Sequence, residues 1–445
     1  MLKRFCRKTG VILYFLCVVL FVHAQYVVTG GTGTPYLEDD SNNRVHVYLV
    51  NGMNNLTISY TSSSSTTHQW YKFKAKALDR EPIASEQNGT TSVVKNVEDD
   101  CGYYVDDPAT GLNGWFVWII DYSKYPFNPQ SLTVKYGDCS NVRLALSPLP
   151  AELTYRLPAT GAVKSLKRQY DVVYQTLNWS DVNKLFSQIT KKVSLASATS
   201  ENLDFVPAPL CDTEFTLSGD QYAKYFNQSK SLTTDTYQAV AVEAHADTTM
   251  VSDNAPNLIS GDDGLSAPVS VHFKAYVNDP VASLLVWKIY KDTEEDNPLI
   301  RYTGDEVDYT FREAGTFTAL LEVSDRSGTC TDNSNTFSFK IVESFLDVPN
   351  AFSPGTTPGI NDEFRVAYKS IVDYKIWIFN RWGVEMYHST NPGEGWDGKK
   401  SGKYVAPGVY FYVIEAKGSD GVKHNKKGSI NILRPKTIDD AIRNE

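Results

Sequence analysis

Hydrophobic and polar residues alternate with a period of two along most of this 445-residue chain. The segment 43–50 places Val45, Val47 and Leu49 on one face of an extended strand. Because successive side chains of a strand point to opposite faces of a sheet, such alternation predicts half-buried β-strands. The stretch 114–122 (GWFVWIIDY) is apolar on both faces instead, which is typical of a central strand covered on both sides. The pattern therefore predicts an all-β protein.

The strands group into tandem immunoglobulin-like or β-sandwich domains with little helix. The predicted units are a signal peptide at 1–24, an N-terminal β-sandwich-like domain at 25–136, a second β-rich domain at 137–257, an immunoglobulin-like domain at 258–344, a C-terminal domain at 345–435 and a tail at 436–445. One helix is predicted over 177–189, where Val182, Leu185, Phe186 and Ile189 follow helical spacing. The segment 252–268 is rich in Asp, Asn, Gly, Pro and Ser, which predicts a linker.

The first 24 residues have the parts of a secretory signal peptide. A basic start precedes the apolar run 11–22, and a small-x-small motif predicts cleavage between Ala24 and Gln25. Twelve apolar residues span about 18 Å as a helix, which is too short for a hydrocarbon core of about 30 Å. The sequence therefore predicts an exported protein without a transmembrane segment in the mature chain.

Charge and cysteine content narrow the possible partners. Cleavage after Ala24 leaves 39 Lys and Arg against 52 Asp and Glu, an acidic balance that argues against a nucleic-acid partner. The mature chain keeps four cysteines, and an oxidising compartment permits disulfides between them. Cys139 and Cys211 are the favoured pair because both flank one predicted domain, which leaves Cys101 and Cys330 as candidates for free thiols.

The third unit carries the sequence features Tyr309-x-Phe311, Gly315-x-Phe317 and an earlier strand with Trp287. With these features it resembles a PKD-type (polycystic-kidney-disease-type) immunoglobulin-like domain. The resemblance implies a fold and says little about function.

The C-terminal unit carries short motifs in a fixed order, with turn signals about every ten residues that predict a β-sandwich. After Pro-Asn-Ala-Phe-x-Pro come Ile-Asn-Asp-x-Phe, Ile-Phe-Asn-Arg-Trp-Gly, Gly-Trp-Asp-Gly and Pro-Gly-x-Tyr; their signature residues are Asn361, Asp362, Arg381, Trp382, Gly383, Trp396, Asp397, Gly398, Pro407 and Gly408. The block resembles the gliding-motility-associated C-terminal domain of Bacteroidetes proteins, which is the type B sorting domain of the type IX secretion system.

This resemblance implies where the protein is delivered rather than which reaction it catalyses. The signal peptide would take the chain to the periplasm, and the outer-membrane secretion machinery would pass it to the cell surface or extracellular medium of a Gram-negative bacterium. The signature tryptophans either contact that machinery or pack the sandwich. The family's Asp-rich loop is replaced here by Gly355-Thr356-Thr357-Pro358-Gly359, so no Ca²⁺ site is predicted at Asp362.

The remaining sequence offers few candidates for chemistry. It contains no H-E-x-x-H, C-x-x-C, G-x-S-x-G or P-loop motif, so we expect no metal, no cofactor and no enzymatic activity. A possible glycan platform consists of Tyr103, Tyr104, Trp115 and Trp118, although aromatic residues in β-domains also form cores. The prediction is a non-enzymatic surface or secreted protein whose N-terminal domains serve adhesion or partner binding. A carbohydrate-binding protein is the alternative, and a secreted hydrolase is third.

Overall fold

The computed structural model describes residues 25–108, 114–197, 203–251, 255–259, 264–292, 294, 296–356 and 359–435. The predicted signal peptide with Ala24 and the C-terminal tail lie outside these residues. None of the helices within the described ranges is long and apolar enough to cross a membrane. The architecture is all-β, as the sequence predicts.

Ten strands in two sheets form the first domain. They are β1 (Gln25–Thr29), β2 (Tyr36–Asp40), β3 (Val45–Val50), β4 (Thr57–Thr61), β5 (Gln69–Phe73), β6 (Glu81–Ile83), β7 (Glu86–Asn88), β8 (Thr91–Lys95), β9 (Cys101–Asp106) and β10 (Phe116–Asp121). One sheet has the order β1-β4-β8-β7 and the other β2-β3-β10-β9-β5-β6. Their neighbours are antiparallel except β3 and β10, which run parallel.

The six-stranded sheet of the first domain is buried on both faces. Val117 and Ile119 of β10 point into the core between the two sheets, whereas Trp118 and Ile120 point to the opposite face. All four side chains are buried, and that opposite face packs against the second domain. The apolar run 114–122 therefore lies in a central strand, as predicted, and the first two domains share one continuous core.

Nine strands and one short helix form the second domain. They are β11 (Ser131–Gly137), β12 (Asn141–Ser147), β13 (Leu153–Arg156), β14 (Val163–Leu166), β15 (Arg168–Ser180), β16 (Leu185–Ser197), β17 (Phe205–Pro207), β18 (Thr216–Ser218), β19 (Ser231–Thr233) and α1 (Gln221–Tyr225). The sheets have the orders β11-β12-β17, β13-β14 and β16-β15-β18-β19. Because β11 pairs with β12, the second domain begins near residue 131 rather than at 137.

A buried ion pair fixes the contact between these two domains. Arg168 at the start of β15 pairs with Asp220, which precedes α1, and both side chains are almost fully buried. The hydroxyl of Tyr122, from the first domain, donates a 3.0 Å hydrogen bond to Asp220. The Arg168 guanidinium also donates to the carbonyls of Tyr125 and Ala151, at 2.8 and 2.7 Å. Such extra bonds are what a buried charge needs to offset its desolvation.

The helix predicted over 177–189 is wrong. This segment is the outer end of a long hairpin, in which β15 and β16 pair in register along 13 residues each. Val182 lies at the hairpin tip and is 92% exposed, and Leu185 and Ile189 are also exposed. Of the four residues at helical spacing, Val182 belongs to the turn and the other three belong to β16. The hydrogen-bonded pairing of β15 with β16 therefore decides the structure here, rather than the spacing of these four residues.

Seven strands in two sheets form the third domain. They are β20 (Ala244–Val251), β21 (Val269–Val277), β22 (Ala282–Lys291), β23 (Ile300–Thr303), β24 (Glu306–Phe311), β25 (Gly315–Asp325) and β26 (Thr331–Ile341). The sheets β20-β21-β24 and β23-β22-β25-β26 enclose a core that contains Trp287, Phe311 and Phe317. Because β20 pairs with β21, the predicted linker 252–268 is a connection inside this domain, which begins near residue 244.

Nine strands form the C-terminal domain. They are β27 (Phe345–Asp347), β28 (Ala351–Phe352), β29 (Ala367–Lys369), β30 (Ile371–Phe379), β31 (Glu385–Ser389), β32 (Lys399–Lys400), β33 (Lys403–Tyr404), β34 (Gly408–Gly418) and β35 (Lys423–Ile432). The main sheet has the order β28-β35-β34-β30-β31, with smaller sheets β27-β29 and β32-β33.

The predicted disulfide between Cys139 and Cys211 is also wrong. Cys139 is bonded to Cys330, 191 residues away, with a Cα–Cα distance of 5.4 Å. Cys101 is a buried free thiol, and Cys211 is a partly buried one. The prediction assumed that the bridge closes a single domain, whereas the bond joins the β11–β12 turn of the second domain to the β25–β26 turn of the third. It therefore holds two domains together.

The hairpin of β15 and β16 provides a second link between these domains. The Trp179 ring stacks on His245 of β20, with ring centroids 4.3 Å apart and an interplanar angle of 5°. The same ring approaches Tyr276 of β21 at 5.3 Å. Lys184 at the tip forms a 3.2 Å ion pair with Asp247. The hairpin thus lies against the sheet β20-β21-β24 and restrains the orientation of the third domain relative to the second.

We predict that replacing Cys139 and Cys330 together by Ser lowers the free energy of unfolding by about 2–5 kcal/mol, because the bond closes a very long loop. Urea unfolding of the oxidised protein would measure this change. Cys211→Ser is the matched control and should leave the unfolding midpoint nearly unchanged. An equal loss in the control variant would contradict the assigned pairing.

Candidate functional site in the C-terminal domain

Among the residues that the structure describes, the core of the C-terminal domain packs against one face of its main sheet, which we call the inner face. Inward side chains of β30, β34 and β35 form the core with the smaller sheets; they include Ile376, Ile378, Tyr410, Ile414, Ile430 and Ile432. An isolated bridge between Phe364 and Trp396 completes the covering layer. The sequence motifs lie in the turns that join these strands, so their roles follow from the turn geometry.

Trp396 is a packing residue. Its ring is 1% exposed and lies 5.6 Å from the rings of both Phe352 and Tyr410, measured between centroids. Its indole N–H donates a 2.9 Å hydrogen bond to the carbonyl of Lys399, so its polar atom is satisfied. The sequence alone allows Trp396 either to contact the secretion machinery or to pack the sandwich. The structure places it in the core, because a side chain this deeply buried cannot contact another protein directly.

Asp397, Gly398, Pro407 and Gly408 shape the turns around that tryptophan. The Asp397 carboxylate accepts hydrogen bonds from the backbone N–H and the ammonium of Lys399, and this contact raises the pKa of the lysine. Gly398 has φ of +71°, and a Cβ there would lie 2.8 Å from Pro354. Pro407 and Gly408 lead directly into β34, as the predicted turn requires.

Trp382 is exposed, in contrast to Trp396. It lies in the turn between β30 and β31, is 61% exposed, and carries the Arg381 guanidinium 4.0 Å from its ring centroid. The side-chain oxygen of Asn380 accepts 3.0 Å hydrogen bonds from the backbone N–H groups of Trp382 and Val384. Gly383 completes the turn with φ of +81°. The turn therefore presents a tryptophan and an arginine to solvent on a fixed support.

Asp362 closes its own loop. Its carboxylate accepts backbone hydrogen bonds from Gly355, at 3.2 Å, and from Gly359, while Asn361 before it has φ of +53°. Within the described ranges no group of three or more His, Cys, Asp or Glu side chains is placed to hold a metal ion. Asp362 and Asn361 thus have a conformational role in this loop.

The outer face of the main sheet carries functional candidates that are not among the signature residues of the sequence motifs. Alternate side chains of β30 and β34 point away from the core and form what we call the outer apolar face: Trp377, Phe379, Val409, Phe411 and Val413. Trp377 pairs with Val413 and Phe379 with Phe411 across the two strands. Val409, Phe411 and Val413 remain 50%, 47% and 38% exposed. The signal in the sequence is the run 409–413, which is apolar at every position.

The same sheet face becomes charged toward the third domain. Lys375 pairs with Glu415, and Asp373 with Lys417, in the cross-strand register. This is the composition expected of an outward face in a solvated sandwich. The apolar half therefore stands out against a polar half of the same two strands.

A serine, a histidine and an aspartate meet where the third and C-terminal domains join. The Ser344 hydroxyl donates to Asp420, at 2.8 Å, and lies 2.7 Å from Nε2 of His424. Burial opposes ionisation of Asp420, but backbone N–H groups of Ser344 and Val422 donate to it and hold its pKa below the usual value. Ser344 and Asp420 line a cleft of about 740 Å³.

This cluster differs from a serine nucleophile with its base. In a catalytic triad the acid orients the histidine, and the histidine accepts the serine proton. Here Asp420 contacts the Ser344 hydroxyl directly, and its hydrogen bonds in the described part of the chain are with Ser344 and Val422 rather than with His424. The arrangement is that of a structural junction between two domains.

The predicted glycan platform is not present as a surface. Tyr103 and Trp118 are 1% and 0% exposed, and Trp118 lies in the core shared by the first two domains. Trp115 stacks on His46 with centroids 4.3 Å apart, at the end of the first sandwich. Tyr104 is partly exposed like Trp115, but the two rings belong to different clusters, because Trp115 stacks on His46 and Tyr104 on Tyr71. Both faces of the six-stranded sheet are covered, so Tyr103 packs inside the first sandwich and Trp118 packs against the second domain, in agreement with the two-sided apolar pattern of 114–122.

Tyr104 forms a small cluster with two other residues. Its ring stacks on Tyr71 of the neighbouring strand, with centroids 5.3 Å apart, and Arg80 lies 4.2 Å from the Tyr71 centroid. Arg80 also donates a hydrogen bond to the Tyr104 hydroxyl. The chain's own guanidinium therefore covers part of this aromatic surface.

We predict that Trp396→Ala lowers the free energy of unfolding by about 3–5 kcal/mol, because it removes a buried aromatic ring. Trp382→Ala should change it by less than about 0.5 kcal/mol, since that ring faces solvent. Urea unfolding monitored by circular dichroism measures both values. Equal losses for the two variants would contradict the contrast between these tryptophans.

Comparison with known families assigns two of the four domains. Residues 346–432 match the CHU_C Type IX secretion signal domain, and residues 131–234 match a Fibronectin type III domain. The fibronectin match covers the second domain, for which the sequence predicts only a β-rich unit. The PKD resemblance of the third domain stays a prediction. No curated protein matches the chain.

The solved structures that are similar to this chain include the following three. E. coli alpha-2-macroglobulin, in its native conformation, is 9% identical with a TM-score of 0.17, and the match covers 92% of this chain but 29% of that one. The BSP domain of a biofilm associated protein is 10% identical with a TM-score of 0.17, covering 93% and 96%. Dimeric latent PorU from Porphyromonas gingivalis is 12% identical with a TM-score of 0.15, covering 74% and 36%. At these TM-scores the likenesses carry no argument.

The geometry and the family matches agree on the C-terminal domain. Its turns are built by the signature residues, and its main sheet presents an aromatic outer face and an exposed tryptophan. The chain is therefore an all-β protein with immunoglobulin-like domains and a C-terminal type IX secretion signal domain, exported to the cell surface or the extracellular space.

Proposed function

We propose that this protein is a non-enzymatic surface or secreted protein whose first two domains bind a partner. The third domain holds that pair at a fixed distance from the secretion signal domain. In this proposal the secretion machinery contacts the outer apolar face and the turn with Trp382. The observation that carries the proposal is that each junction between successive domains is held by specific contacts.

Three kinds of contact support the rigid arrangement. The first two domains share a core, and Tyr122 of the first domain bonds to the buried pair of Arg168 and Asp220 in the second. A disulfide from Cys139 and the hairpin of β15 and β16 join the second domain to the third. The third and C-terminal domains are joined by backbone hydrogen bonds, such as Ala314 N–H to the carbonyl of Ser419 at 3.0 Å. Fixed junctions suit a protein whose first two domains bind a partner while its C-terminal domain contacts the secretion machinery.

Exposure of apolar side chains supports the role of the outer apolar face. A soluble protein commonly places polar side chains on the outer face of a sandwich sheet. A contiguous apolar patch with an arginine at its border is typical of a protein-binding surface, because partner contact removes the patch from water. Arg381 and Trp382 lie in the turn that follows Phe379, so they extend the same surface.

We predict that Phe411→Ser reduces the exported fraction of the protein several-fold, because it removes an exposed anchor of the proposed contact. Stability should change little, since Phe411 is 47% exposed. Quantitative immunoblots of periplasm, cell surface and medium would measure export. Lys375→Ser, on the charged half of the same sheet face, is the matched control. Normal export of the Phe411 variant would contradict the assigned surface.

The partner-binding role of the first two domains can be separated from carbohydrate binding. We predict that the purified oxidised protein retains a protein from cell-surface extracts and that soluble polysaccharides do not compete for this binding. The carbohydrate alternative rests on Tyr71 and Tyr104, whose rings stack at the surface of the first domain. Retention on polysaccharide resin that is lost on replacing both tyrosines by Ala would favour the alternative over our proposal.

A further inference from the structure

The described residues of the connection between β20 and β21 contact the C-terminal domain as well as the third domain. We name its described residues, 255–259 and 264–267, the strap. The side-chain Nδ2 of Asn257 donates 2.7 Å hydrogen bonds to the carbonyl oxygens of both Val366 and Pro392. One amide from the third domain thus joins two separate segments of the C-terminal domain.

The strap also extends a sheet of the C-terminal domain. The backbone N–H of Ile259 donates to the carbonyl of Tyr368 at 2.9 Å, and the Tyr368 N–H donates to Asn257 at 3.2 Å. Ala255 and Leu258 pack against the core of the C-terminal domain. The small sheet β27-β29 therefore has the strap as a third member, on the side of β29 that would otherwise be an open edge.

The other half of the strap is held by both domains at once. Leu265 pairs with the end of β26, and its carbonyl accepts the N–H of Val342 at 3.0 Å. The Ser266 hydroxyl accepts the N–H of Ser370 at 2.7 Å, and the Ser370 hydroxyl accepts the N–H of Ala267 at 3.1 Å. Ser370 is fully buried and has φ of +51°. These bonds fix the turn between β29 and β30, the strand that carries Trp377 and Phe379 of the outer apolar face.

We infer that the export signal of this chain includes the strap in addition to residues 346–432, which match the secretion signal domain. The strap pairs with β29 and donates hydrogen bonds to two carbonyls of the C-terminal domain, those of Val366 and Pro392. It also sets how the outer apolar face is held relative to the third domain. The secretion machinery would accordingly read the C-terminal domain only when the strap is seated. This inference rests on the export role of the C-terminal domain.

Asn257→Ala in the full-length chain tests the inference. The substitution removes both side-chain bonds, so we expect amide hydrogen exchange at Tyr368 and Ile259 to accelerate about tenfold, while the core strands β21 and β25 keep their protection. We expect the surface and medium fraction to fall at least about twofold in the same cells. Ser266→Ala, which removes one acceptor at the other half of the strap, should weaken export in the same direction.

Asn335→Ala is the matched control. Asn335 also donates its amide to a backbone carbonyl, that of Ala244 at 2.8 Å, but within the third domain. Export that is normal in the Asn257 variant despite accelerated exchange would overturn the inference, as would unchanged exchange at Tyr368. Export lost equally in the Asn335 variant would overturn it too. A chain truncated after Glu343 distinguishes failure of the export role from failure of the strap inference. If the truncated chain is still exported, the C-terminal domain is not the export signal. If the truncated chain is retained but Asn257→Ala is exported normally, only the role of the strap is refuted.

Discussion

The rest of the structure depends on the burial of the six-stranded sheet on both of its faces. One face closes the first sandwich, and the other face forms the core that continues into the second domain. A sheet covered in this way cannot separate from its neighbour without exposing Trp118 and Ile120 to water. The first two domains therefore behave as one body, and the later domains attach to this body through links of other kinds.

Those links change in character along the chain. A disulfide and a stacked Trp179 and His245 hold the third domain, and hydrogen bonds of the strap hold the fourth. The disulfide needs an oxidising compartment, which agrees with an exported protein. The last junction rests on hydrogen bonds between polar groups, so it is the one whose opening would alter the signal domain most directly. Export and architecture are in this way connected through the same residues.

The sequence predicted what depends on local chemistry. Alternation gave the strands, and turn residues such as Gly383 and Gly398 lie where their positive φ is required. The C-terminal motifs also identified the domain that the family match confirms. The failures concern contacts between distant parts of the chain: the partner of Cys139, the packing of the second domain on Trp118, and the strand pairing of 177–189, which the spacing predicts as a helix. None of these can be read from the spacing of neighbouring residues, because each is decided by what another domain or strand supplies.

The central claim is that the C-terminal domain delivers the chain to the outside of the cell. Its most direct test is protease digestion of intact cells, with immunoblots of cells and medium, for the full-length chain and a chain truncated after Glu343. The account predicts that the full-length protein is digested on the surface or recovered from the medium, while the truncated protein stays protected in the periplasm. Finding both chains in the periplasm, or both outside, would contradict it.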